Sequence, residues 1–289
     1  MPGMRRCSSV ASLFAGLIVL GGCGGAALPT GPSTRPVAVI ARLDVDMSVT
    51  GGQVAHGRVT LTNVAPEPGV TIGLAANNVA ATTPSSLTIP SGATKGSFDI
   101  TTTRVTATTD VAITASVGEA RTTSSMRVKI DAATLTPTAT YTLGFSSLRD
   151  NRAAFTTYND AAFTVSVVSA DWMAITTYGN PTPFIQFTSP LGQTTTGEIR
   201  ITAGGAPFWF NSIDLYSSTT KIPYVFEGSL SGDPVFTVVN VLGNTFGAFA
   251  RTPNPRSDAA IDTLLIRLSN PSAPCCGNPM GVDNLVLSR

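Results

Sequence analysis

The sequence predicts an all-β protein: two consecutive β-sandwiches behind an export signal. Three observations carry that prediction. Charged residues make up only 12% of the 289, while Gly and Pro number 27 and 20, the balance of chains made of short strands and tight turns. From residue 38 onward, short alternating apolar runs recur about every dozen residues, punctuated by turn residues. No stretch beyond the first 22 residues carries a helical period of comparable strength.

The chain opens with Arg5 and Arg6, an apolar run from Val10 to Leu20 and a small-residue stretch, Gly21 to Gly25. That is the layout of a secretory signal, and the run falls short of the ~20 apolar residues a bilayer span needs. Leu20-Gly21-Gly22-Cys23 resembles the bacterial lipobox. The resemblance implies cleavage before Cys23, a diacylglycerol on its thiol and an acylated amino group. One acyl chain holds a protein only marginally and two or more hold it firmly. An ordinary signal cleaved near Ala26 or Ala27, with Cys23 incidental, is the competing reading. Gly24 stands where an Asp implies inner-membrane retention in the lipoprotein family, so an outer-membrane or cell-surface address is expected over the inner membrane. Residues 1–22 are thus the signal, and 23–37, dominated by Gly, Pro, Ser and Thr, form a flexible tether.

Residues 38–130 read as the first sandwich. Val59, Leu61 and Val64 follow Gly51-Gly52; Val70, Ile72 and Leu74 follow Pro68-Gly69; Phe98 and Ile100 follow Ser91-Gly92; Val111, Ile113 and Ala115 precede Gly118; Met126, Val128 and Ile130 close the segment. These strand and turn positions resemble bacterial Ig-like modules, which implies an Ig-like fold and no particular activity. His56, the sole histidine, has the parity of Arg58 and opposite to Val59 and Leu61, so it belongs on the wet face.

Residues 131–137 form a linker, and 138–289 the second sandwich. Strands are expected at 138–145, 163–170, 198–203, 208–217, 222–230, 235–241, 246–251, 261–268 and 282–287, a number that suits a jelly roll. Three stretches, 201–218, 242–255 and 269–289, resemble jelly-roll domains of exported bacterial proteins akin to carbohydrate-binding modules, whose last strand repeats as Val282-Asp283-Asn284-Leu285. Tailed relatives end in an apolar anchor and basic residues. This chain stops at Arg289 without them, so anchorage is expected from the front.

Four groups are candidate site residues. Trp172, Tyr178 and Asn180 lie in a loop-like stretch, and Trp209 stands between Phe208 and Phe210 with opposite parity, so that if the two Phe rings enter the core it projects outward. Exposed aromatic faces stack on sugars while Asn, Asp or Arg fix hydroxyls; core packing is the alternative use of the same residues. Asp283 shares the parity of Leu285 and Leu287 and is expected to point inward. A buried charge must be answered, by a structural calcium as the jelly-roll resemblance implies, or by backbone N–H groups or an arginine. Cys275 and Cys276 are adjacent. They read either as a strained vicinal disulfide, because neighbouring Cα atoms about 3.8 Å apart lie below the usual disulfide range, or as two inert thiols.

Removing Arg5 and Arg6 with the signal leaves 16 Lys and Arg against 17 Asp and Glu, a near-neutral balance that gives no pull toward nucleic acid. Catalytic motifs are absent from the sequence: there is no Gly-x-Ser-x-Gly elbow, His-Glu-x-x-His or P-loop, and only Glu198, Asp214 and Glu227 are carboxylates that a glycosidase could use. The expectation is a non-enzymatic envelope lipoprotein. Its membrane contact runs through the N-terminal lipid, and its Ig-like spacer presents a binding domain for a glycan. A structural or adhesive protein with another envelope protein as partner is the second reading, and a jelly-roll hydrolase the third.

Overall fold

The computed structural model describes residues 38–271 and 277–289. Cys23, Cys275 and Cys276, with the signal and tether expectations, lie outside the described residues. Among those residues no helix is long and apolar enough to cross a membrane, and the chain is all-β.

The first part contains β1 (Ile40–Val45), β2 (Ser48–Thr50), β3 (Val54–Leu61), β4 (Gly69–Ala76), β5 (Ala81–Thr82), β6 (Ser86–Pro90), β7 (Lys95–Thr102), β8 (Thr109–Val117) and β9 (Ala120–Lys129). They form sheets of order β1-β3-β7-β5 and β2-β9-β8-β4-β6, the two-sheet winding of an immunoglobulin-type sandwich. All pairs are antiparallel except β2 with β9. Alternation aims Ala55, Val59, Ile72, Ile100, Val111, Ile113 and Val128 into one shared core. Val64 is 57% exposed, since β3 ends at Leu61 and its parity no longer applies. His56 is exposed beside Asp99, with Nδ1 3.0 Å from Oδ1.

The second part begins after a short 3-10 turn, Ala132–Thr134, capped by Asp131. Its strands are β10 (Thr140–Leu143), β11 (Thr157–Asp160), β12 (Phe163–Ser169), β13 (Met173–Ile175), β14 (Phe184–Ser189), β15 (Thr195–Thr202), β16 (Phe208–Ser217), β17 (Ile222–Leu230), β18 (Asp233–Leu242), β19 (Phe249–Pro253), β20 (Ala260–Ile261), β21 (Thr263–Asn270) and β22 (Asn278–Ser288). A six-stranded sheet runs β11-β12-β15-β21-β17-β18, and a seven-stranded one runs β13-β14-β22-β16-β19 with β10 added on β22 and β20 on β16. Within them β14-β22-β16-β19 faces β15-β21-β17-β18. Counted along the chain, that is first-eighth-third-sixth against second-seventh-fourth-fifth, a jelly-roll winding. Four strands, β11, β13, β14 and β20, go beyond the sequence expectation. Phe184, Ile185, Gln186 and Phe187 of β14 are all buried, so no alternation marks them as a strand.

The core between these sheets is aromatic-rich, with Phe145, Phe163, Phe187, Phe208, Phe210 and Phe226 fully buried. Glycines make room for the rings. A Cβ on Gly228 would stand 2.5 Å from the Phe236 ring, and in the first sandwich one on Gly57 would collide with the Phe98 ring; each glycine is the cross-strand partner of that Phe. The ring covers backbone that a glycine would otherwise leave bare.

Candidate functional site

The structure does not bring the two tryptophans to an open face. Trp172 is 2% exposed and belongs to the core between the sheets: its ring packs 4.8 Å from that of Phe187 and its Nε1 donates to the Ser169 carbonyl at 2.9 Å. Its segment is extended rather than a surface loop, because Phe155 N–H donates to the Trp172 carbonyl at 2.8 Å and β13 follows at once. Trp209 does point away from the core that Phe208 and Phe210 enter, yet it is only 7% exposed. It lies on a strand flanked by β22 and β20, on a face whose other side chains are also largely buried. Tyr178 and Asn180 are exposed, on the segment between β13 and β14.

The outer face of the seven-stranded sheet, away from the core, holds what the sequence did not assemble. Register places Gln186 opposite Gly281, Gly281 opposite Tyr216 and Tyr216 opposite Phe249. Asp283 lies opposite Asp214, and Asp214 opposite Arg251. Phe184 leans across Gly281, where a Cβ would stand 3.2 Å from its ring. That lack of a side chain lets Phe184 approach Tyr216 at 5.6 Å and Phe249 at 5.0 Å, ring centre to ring centre. Tyr178, 41% exposed, meets Phe184 edge-on at 5.9 Å and its hydroxyl donates to Gln186 Oε1 at 3.3 Å. Four aromatic rings thus form one cluster with a single half-open ring at its rim. Burial pushes the Tyr216 hydroxyl above the usual tyrosine range; Tyr178 adds to the rise and a hydrogen bond with Ser218 opposes it.

Asp283 is buried, 1% exposed, but on this face and not in the inner core as parity with Leu285 implied. The reason is a bulge: between Asp214 and Ser212 on β16, β22 advances from Asp283 to Val286, and Asn284 takes a left-handed φ of 44°. The extra residue flips parity, so Val282 and Leu285 both face the core. Neither backbone N–H groups nor an arginine answers the charge. Both carboxylate oxygens lack a hydrogen-bond partner; among the described residues they are the buried side-chain oxygens and nitrogens left so. The Asn284 amide lies close enough to lower the pKa somewhat but not in hydrogen-bonding geometry. Desolvation, with the neighbouring Asp214 adding to it, pushes Asp283 up to about 7. Asp214 is engaged elsewhere, accepting from Arg251 Nε at 3.1 Å and from Asn284 Nδ2 at 2.9 Å.

A hard cation fits the vicinity of Asp283 in part. A Cβ on Gly144 would lie 3.9 Å from Asp283 Oδ1 and 3.4 Å from Asn284 Oδ1, so two oxygens from different side chains flank space that any residue larger than glycine would narrow. Asp283 and Asn284 would be the side chains to hold calcium, which takes six to eight oxygens and would draw the rest from backbone or water. Among the described residues no group of three or more His, Cys, Asp or Glu is arranged for a metal.

The other two acids that a glycosidase could use, Glu198 and Glu227, sit in ion pairs. Arg267 Nε donates to Glu198 at 2.8 Å and Nη1 to Glu227 at 3.5 Å across three adjacent strands of the six-stranded sheet, and these carboxylates hold the guanidinium pKa above its usual value.

Tyr216, Phe184, Phe249, Gln186 and Arg251 escaped the sequence reading. The available signal was the shared parity of Phe249 and Arg251 on one strand and of Asp214 and Tyr216 on another. Their meeting depends on strand order, which parity does not encode.

The chain matches no family model and no curated protein. Among solved structures it is similar to a chain described as the D0-D1 domain of Intimin, at 10% identity over 86% of this chain and 96% of that one, with a TM-score of 0.28. So distant a likeness decides neither the fold nor the function of this chain.

Proposed function

We propose that this chain is a non-catalytic lipoprotein of the bacterial cell envelope, held by acyl chains on Cys23, whose Ig-like sandwich joins a carbohydrate-binding jelly roll to that anchor. The observation that carries the ligand assignment is the rim of the aromatic cluster. Tyr178 offers a half-open ring backed by Phe184, Tyr216 and Phe249, and Arg251, with its side chain 62% exposed, lies on the same face. A pyranose can stack its apolar face on such a ring while the guanidinium donates to its hydroxyls. Buried neighbours hold Tyr178 before the ligand arrives, which reduces the ordering cost of binding. This withdraws the ligand role from Trp172 and Trp209, keeps it for Tyr178 and adds Arg251. On a glycan array the soluble protein is expected to bind at least one glycan class, and Tyr178→Ala or Arg251→Ala to lose that signal while the melting temperature stays within about 2 °C. A blank array from folded protein would reject the carbohydrate reading.

Lipid attachment is tested separately. Intact-mass analysis of the processed protein is expected to show a chain starting at Cys23 with fatty-acid mass, and a bare N-terminus near Ala26 or Ala27 would overturn the anchor. The second reading, a structural or adhesive protein with a protein partner, is favoured by β18. Among the described residues this ten-residue edge strand pairs with β17 alone, and it exposes Val239 by 73% and Val241 by 50%; edges of that kind accept a further strand. The hydrolase reading finds its three acids committed to Arg267 and Arg251.

A further inference from the structure

We infer that the end of the jelly roll opposite its point of chain entry is a second membrane-contact surface, which inserts Phe246 and Leu191 into an anionic lipid interface. The chain enters this sandwich where Thr138 and Ala139 donate to the Arg289 carbonyl. β16 spans ten residues, about 30 Å, from that end at Trp209, opposite Ser288, to Ser217, opposite Met280. At the far end emerge the β14–β15 turn with Leu191, the β16–β17 turn with Lys221 and the β18–β19 loop with Phe246.

Phe246 is 84% exposed and Leu191 62%. Neither exposure comes from a loose loop. Phe246 has a φ of 52°, a left-handed conformation unfavourable for a bulky residue, and hydrogen bonds hold it there. Its N–H donates to Asn244 Oδ1 at 2.9 Å. Thr245 Oγ1 donates to the Ser217 carbonyl at 2.9 Å and accepts from Ser217 N–H at 2.8 Å, and Gly247 N–H reaches the same carbonyl at 3.0 Å. Ser217 is itself fully buried. Leu191 occupies the corner of a turn closed by Gln193 N–H on the Pro190 carbonyl at 3.1 Å and by Ser189 Oγ on the Gln193 carbonyl at 2.6 Å. Hydrogen bonds to the buried Ser217 and Ser189 and within the turns thus hold two apolar side chains in water, at Phe246 against an unfavourable backbone conformation, and these side chains stabilise nothing in the free protein.

The geometry selects the occupant. The two side chains stand on separate turns, with β14 and β19 three strand spacings apart in the sheet, about 15 Å. A fluid interface accepts two such projections without a matching pocket, whereas one small ligand cannot span them. Lys221, exposed on the turn that joins β16 to β17, complements anionic headgroups; Asp171, before β13, is an exposed acid toward this end. The flanking Gln193, Thr194, Ser218, Thr219 and Asn244 are uncharged.

The test uses the mature chain with Cys23→Ser, which has no acyl group whether or not the natural protein is lipidated. It is sedimented with vesicles of phosphatidylglycerol mixed with phosphatidylethanolamine. The expected result is partitioning that falls at least about tenfold in the Phe246→Asn, Leu191→Ser double variant. Asn tolerates the left-handed backbone, so melting is expected to stay unchanged. Lys221→Glu is expected to weaken binding further as the phosphatidylglycerol fraction rises. Equal partitioning of parent and double variant, or none by the parent, would overturn the inference. So would lipid-free self-association abolished by Phe246→Asn, which would assign the surface to a second copy of the chain.

Discussion

Replacing Asp283 by Asn is expected to stabilise the chelator-treated protein at pH 8 by on the order of 3 kcal/mol and to abolish most of its pH dependence between about pH 4 and 7. The sign follows from the folded-state pKa. Burial raises the carboxyl to about 7 from 3.8, so between those values the native state holds a proton that the unfolded chain has released. Stability therefore falls as pH rises through this window and levels off above it, where both states are ionised. Each unit of separation corresponds to about 1.4 kcal/mol. Asn keeps the shape but cannot ionise, and the cost of its unpartnered amide, about 1–3 kcal/mol, offsets part of the gain. Thermal melts across pH, with and without the substitution, measure the effect; a wild-type stability that rises from pH 4 to 7 would show that Asp283 is ionised and partnered. The same melts test calcium. If Asp283 and Asn284 hold the ion, millimolar calcium raises the wild-type midpoint above its chelated value and leaves Asp283→Asn unmoved. An unshifted wild type would retire the cation and leave the proton as the group that answers Asp283.

Trp172→Ala is expected to cost about 3–5 kcal/mol, because it removes a large ring from a packed interior and leaves a cavity. Trp172 packs on Phe187, and its indole N–H is satisfied by Ser169. Trp172→Phe is expected to retain much of that stability while losing the hydrogen bond. Chemical denaturation measures both. A loss below about 1 kcal/mol for the alanine variant, with folding intact, would mean that the ring is peripheral and return it to the list of ligand candidates.

These two residues show where the sequence reading stops. For Trp172 the surrounding DWMAITTYGNP looks like a surface loop, with Gly and Pro nearby. What places it inside is the pairing of β13 with β14, and β14 hides from pattern analysis because both of its faces are covered. Strands with one face less buried than the other were legible by alternation: β17 falls on the expected residues, and β3 places His56 outside.

The sequence by itself determined the all-β character, the alternating faces of the half-buried strands and many of the turns between them. All three are local, set by side chains within a few residues of one another. Only the tertiary structure decided that Asp283 leaves the inner core, that Phe184, Tyr216 and Phe249 meet across Gly281, and that Trp209 is covered. The reason is the bulge at Asn284 and the strand order. One inserted residue reverses every side chain beyond it, and neighbours in a jelly roll are strands far apart in the chain, so neither can be read from local periodicity.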